Sequence, residues 1–145
     1  MNKAETAIQI FDNGNNCAQA VFLAYAEDFG MDKNHALSAA VGFGGGIGRT
    51  QDVCGAISGA VMVLGLRSEF KEGDGRDKIN LAYDDVSCFI DEFKKQKGSI
   101  KCLELLDGCS LSSEDGKKFF KEHNLRDRCR EYIRLACGLL EKRHK

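Results

Sequence analysis

GFGGGIGRTQDVCGAISG, running from Gly42 to Gly59, is the stretch whose reading decides the fold. Seven glycines fall in these eighteen residues, the chain contains no proline, and one cysteine, Cys54, stands where the glycine-rich loop gives way to a helical pattern. The segment opens like a dinucleotide fingerprint at Gly42 and Gly44, but Ile47 occupies the place of the third glycine. No strand pattern precedes it and no Lys-Ser/Thr pair closes it, so neither a Rossmann turn nor a P-loop is expected. What the glycines permit is close approach of backbone to another group, with N–H donors facing an anionic centre. Gly44, Gly45 and Gly46 are therefore candidate contacts for a bound group beside Cys54. Gly55 and Gly59, four apart and flanked by Ala56 and Ala60, make a smooth strip on the helix that follows. Each interior helix glycine costs about 1 kcal/mol relative to alanine. Either close helix contact or room for a cluster or substrate offsets that cost.

On both sides of this stretch the periodicity is helical. Ala4, Ala7, Ile8 and Phe11 share a face that Gly14 ends, and Asn15 is a candidate cap for a second helix carrying Cys17, Ala20, Val21 and Ala24. Asp32 caps a third helix. Thr50 or Asp52 is expected to cap the helix that runs to about Arg67 or Phe70. EGDGRD reads as a loop, and a long helix from about Arg76 to Lys97 stops at Gly98. Ser99 is placed as the cap of a short helix, Ser112 with Asp115 as a weak capping box, and Asn124 as the cap of the last helix. No strand pattern competes. The expectation is one all-α domain spanning residues 1–145, with six to eight helices and a glycine-rich loop between two of them.

Of the 145 residues, 21 are Lys or Arg and 22 Asp or Glu, a net charge of −1 that offers no bulk attraction to nucleic acid. The basic excess after Lys121 reads as a solvated helix face. No apolar run is long enough for a signal peptide or a membrane span, so a cytoplasmic location without membrane insertion is expected. There the seven cysteines, an odd number, argue against a structural disulfide framework. Their positions are informative. Cys17, Cys54 and Cys102 each fall two or three residues past a candidate cap, in the first turn of three different helices. A helix N-terminus favours thiolate over thiol, the form that binds metal or attacks a disulfide. Cys129 lies about one turn into the last helix, with Arg126 at i−3 on its side, although solvated arginines are the simpler reading. Cys88 faces away from its helix's apolar side, Cys109 sits in a loop, and Cys137 reads as core.

Cys17 in NCAQAV, Cys54 in CGAISG, Cys102 in KCLELLDG and Cys129 in RCREYI resemble, in order and context, the C-GCAxxG-C-C family, whose redox activity is inferred from its cysteines. One departure is that Cys-Gly-Ala stands here where the family label has Gly-Cys-Ala. The resemblance implies that Cys17, Cys54, Cys102 and Cys129 act together, and it extends to the iron–sulfur region of split-Soret cytochromes. No C-x-x-C-H haem motif is present.

Three functions follow as expectations. The first is an iron–sulfur cluster held by these four cysteines, for electron transfer or redox sensing. The second is a metal-free thiol–disulfide oxidoreductase or sensor, with Cys54 and Cys17 as reactive thiols. The third is a structural zinc or other metal site. An unidentified redox partner and a homodimer through small-residue helix faces both fit the sequence. His35, His123 and His144 are isolated and read as surface residues.

Overall fold

The computed structural model describes residues 1–143. Seven helices of eight residues or more carry the fold: α1 (Lys3–Asp12), α2 (Cys17–Ala26), α3 (Lys33–Ala40), α5 (Gly55–Ser68), α6 (Arg76–Lys97), α8 (Glu114–Glu122) and α9 (Arg126–Arg143). Two single turns, α4 (Gly44–Ile47) and α7 (Cys102–Leu105), lie where the chain bends around the site. The all-α expectation holds.

α2 is apolar on every side, and eight of its ten residues are buried, so it takes the centre of the bundle. α1, α3, α5 and α9 pack around it, and α6 lies against α5 and α9. Phe89 and Phe93 from α6 join Ile57, Ile133, Leu140, Val21 and Val63 in the fully buried core. Cys137 is part of that core, as its sequence context suggested. A smaller cluster of Cys102, Leu106, Cys109 and Leu125 forms a second floor beneath α7.

Helix ends differ in detail from the sequence reading. Asn16, not Asn15, caps α2, in a reciprocal box with Gln19, while the Asn15 amide donates to Ile10 O at 3.0 Å and closes α1. No side chain caps α5: Thr50 donates to Gly46 O and Ile47 O instead, and Cys54 itself occupies the cap position. α7 starts at Cys102, one residue after Lys101, while the Ser99 hydroxyl accepts from Lys101 N. Ser113 rather than Ser112 caps α8, accepting from Gly116 N. The α5 and α7 shifts share one cause. Val53 pairs with Lys101 as an isolated antiparallel bridge, Cys54 N donates to Ile100 O and Cys102 N donates to Asp52 O, both at 2.7 Å. This pairing satisfies donors at both helix starts without side-chain caps.

The glycine loop winds the unusual way. From Gly45 to Arg49 five consecutive residues have φ between 60 and 70°, and Gln51 follows at 59°. Three of these six are not glycine, and left-handed backbone costs each roughly 1–2 kcal/mol. The loop closes on itself through Gly48 N to Gly42 O, Gln51 N to Gly45 O and Asp52 N to Gly46 O. Those N–H groups are therefore directed inward to the loop's own carbonyls.

Candidate functional site

Four helix starts converge on one cavity. Cys17 is the first residue of α2, Cys54 precedes α5, Cys102 is the first residue of α7 and Cys129 lies in the first turn of α9. All four line a cavity of about 520 Å³, together with Gly45, Gly46, Gly55, Arg126 and Tyr132. Two devices bring them together. Cys54, opposite Ile100, and Cys102, opposite Asp52, sit on either side of the Val53–Lys101 bridge, two pairs apart, and so project from the same face of it. Cys17 reaches Cys54 through close contact of α2 with α5. A Cβ on Gly55 would lie 3.3 Å from Cys17 Cβ, and one on Gly59 would come 2.7 Å from Ala18 O.

The candidate glycines thus divide. Gly45, Gly46 and Gly55 border the cavity. Gly44 lies against the Asn16 side chain, and Gly59 against Ala18 and Val21, so both serve helix and loop packing.

Electrostatics reverses one expectation from the helix starts. Cys54 and Cys102 are buried, Cys17 and Cys129 partly so. Burial pushes the Cys54 thiol up to about 12, and the N–H groups of Ala56 and Ile57 offset it only in part. Burial likewise raises Cys102 to about 11, against the pull of the Gln51 amide. Removing charge from water outweighs the helix N-terminus here. Cys17 is raised by donating to Cys129 and by burial. Cys129 alone is lowered, first by accepting that hydrogen bond and then by Arg126 and Arg130, despite its burial. Of the other three thiols, Cys129 acts most strongly on Cys17, ahead of Cys54 and Cys102. Arg126 is no free surface cation: its guanidinium lies 4.0 Å from the Phe11 ring centroid and donates to Phe11 O at 2.9 Å.

Among the described residues, no group of three or more His, Cys, Asp or Glu side chains is placed to hold a single metal ion. Four thiolates on one tetrahedral zinc would have to stand about 3.8 Å apart, given Zn–S distances near 2.3 Å. In a four-iron cluster each thiolate binds its own iron and the four stand farther apart, an arrangement for which a thiol-lined cavity of about 520 Å³ has room.

Gln51 was not visible from the sequence. Only 8 % exposed, it donates to Cys109 O and accepts from Leu111 N, both at 2.9 Å, and its amide stands 3.9 Å from Cys102 Sγ. Its left-handed φ turns it inward, and no local pattern announces that. Cys109 lies behind Cys102, its thiol donating to Gly116 O. Cys88 is exposed on α6, outside the cavity. His35 is exposed and His123 stacks on Phe119, neither at the site, while His144 lies outside the described residues.

Comparison with known proteins gives a family. A family described as "Putative redox-active protein (C_GCAxxG_C_C)" matches residues 15–143, a span containing all four cavity cysteines. An "Uncharacterized protein" of Archaeoglobus fulgidus is 27% identical over 129 residues, covering 81% of this chain and 85% of its own length. No solved structure matches the chain.

Proposed function

The chain belongs to the C_GCAxxG_C_C family, and from that premise we propose that it holds an iron–sulfur cluster on Cys17, Cys54, Cys102 and Cys129, for electron transfer or redox sensing. The observation that carries the reading is the meeting of these four thiols, from four helices, around one cavity of about 520 Å³. When bound, such a cluster supplies a redox couple tuned by charge, hydrogen bonding and solvent access around its sulfurs. The chain's own contributions are specific. Arg126 and Arg130 favour charge on Cys129, the Ala56 and Ile57 N–H groups face Cys54, and the Gln51 amide faces Cys102. Because burial keeps Cys54 and Cys102 protonated, loading releases protons and is favoured by rising pH.

A second reading is supported by Cys17 and Cys129, the two partly exposed thiols of the cavity, which move each other's acidity in opposite directions. Without metal, the Cys129 thiolate attacks an external disulfide, breaking its S–S bond, expelling one thiolate and forming a mixed disulfide. Cys17, giving its proton to a leaving thiolate, then displaces the second, so the pair is oxidised to a disulfide and the external disulfide is reduced to two thiols.

Anaerobic loading with ferrous iron and sulfide separates the two readings. Cys17, Cys54, Cys102 and Cys129 changed singly to Ser each lower iron content, while Cys88→Ser and Cys137→Ser retain it. Undiminished iron in all four variants refutes the cluster, and a loss of two thiols on mild oxidation, confined to Cys17 and Cys129, establishes the alternative.

A further inference from the structure

We infer that the mouth of the four-cysteine cavity is a binding site for a small organic anion, a carboxylate or phosphate ester on an apolar body. The cavity is lined by three cations, Arg49, Lys117 and Arg126, and by no Asp or Glu. The chain as a whole has 22 acidic and 21 basic residues, so the positive lining is a local feature of this cavity and not of the overall charge. Its volume of about 520 Å³ lies in the range of small-molecule sites.

Arg49 is the most informative of the three cations. It holds a backbone φ of 64°, a conformation that a residue with a Cβ adopts at some cost. Its side chain lies over Gly45, where a Cβ would come 2.8 Å from Arg49 Cγ. The missing Cβ at Gly45 leaves room for this side chain, which lines the cavity, and no carboxylate pairs with it among the described residues. Lys117 has only an exposed pair with Glu114 at 3.7 Å, a contact of little energy. Arg126 is fixed on Phe11. Between these cations the wall is apolar, from Phe11, Leu111 and Phe120, and Gln51 pins Leu111 in place by accepting from its N–H. Cations around an apolar wall suit a ligand with a charged end and a hydrophobic body. Such a ligand would lie against the thiols.

The inference rests on reading this cavity as the functional site, and its test is run on iron-free reduced protein as well as on loaded protein. Isotope-labelled full-length chain is titrated with benzoate and phenyl phosphate, with benzyl alcohol as the neutral counterpart, following backbone amide shifts. Both anions are expected to saturate, shifting residues 45–49 and Lys117, with benzyl alcohol at least about tenfold weaker. Arg49→Gln, a neutral side chain at an exposed position, weakens benzoate about five- to tenfold, whereas Arg134→Gln on the outer face of α9 does not. Equal binding of benzyl alcohol, no saturable shift, or full-strength benzoate binding to Arg49→Gln overturns the site. Benzoate binding without any iron uptake leaves the anion site standing and removes the cluster reading instead.

Discussion

Replacing Gly59 by alanine tests the contact that sets Cys17 beside Cys54. An ideal Cβ at Gly59 lies 2.7 Å from Ala18 O and 3.1 Å from Val21 Cβ, and the first of these is backbone in the central helix, which cannot swing aside. α5 and α2 must therefore separate by several tenths of an ångström. Gly65, on the same helix, has nothing within 4 Å of the corresponding position. Each substitution gains about 1 kcal/mol of helix propensity. At Gly59, overpacking costs typically about 1–3 kcal/mol. Gly65→Ala is thus expected to stabilise by about 0.5–1 kcal/mol, and Gly59→Ala to be less stable than Gly65→Ala by about 1–3 kcal/mol, the propensity gain cancelling between them. At about 2–4 °C per kcal/mol for a chain of this size, the midpoints separate by roughly 2–12 °C. Thermal and urea unfolding of reduced, metal-free protein measures this directly. A Gly59→Ala protein as stable as Gly65→Ala would refute the close α2–α5 contact, and with it the explanation of how Cys17 is placed.

Gln51→Leu leaves buried groups at Cys109 O and Leu111 N without a partner, which costs about 1–3 kcal/mol by urea unfolding and loosens Cys102; an unchanged midpoint denies Gln51 its role as a clamp. The metal-free reduced chain should also weaken in alkali. Cys54, at about 12, and Cys102, at about 11, are raised above the ordinary thiol value of 9.0, so their stabilising effect is full below that value. It is then lost as pH rises toward their folded values, at about 1.4 kcal/mol per pH unit for each thiol. Cys129 is lowered, so its contribution is present above the ordinary value and lost as pH falls through its folded value. Urea midpoints at about pH 8 and about pH 10 give the alkaline slope, and a flat profile refutes burial as the dominant cause.

Much of the bundle was legible because helices announce themselves locally. The 76–97 helix, with its Gly98 stop, coincides with α6, and the apolar side of α9 follows from spacing alone, whereas α2, read with one inward face, is buried on nearly all sides. Asp32 caps α3 as its sequence position suggested. The four cavity cysteines were legible by their helix-start positions and by family resemblance. What escaped were non-local features. The Val53–Lys101 bridge joins residues far apart in sequence and displaces the expected caps at Thr50, Asp52 and Ser99. The left-handed path from Gly45 to Arg49 includes Ile47, which no propensity argument would place there. The thiol acidities also turned on burial, a property of the packed molecule, and so ran opposite to the helix-start argument for Cys17, Cys54 and Cys102.

The central claim is that four converging thiols hold an iron–sulfur cluster, and metal analysis of anaerobically purified wild-type chain tests it most directly. Iron and acid-labile sulfide should appear in equal amounts, about two or four of each per chain, with visible absorption that bleaches on reduction. A colourless protein that stays free of iron and sulfide after anaerobic loading would contradict it.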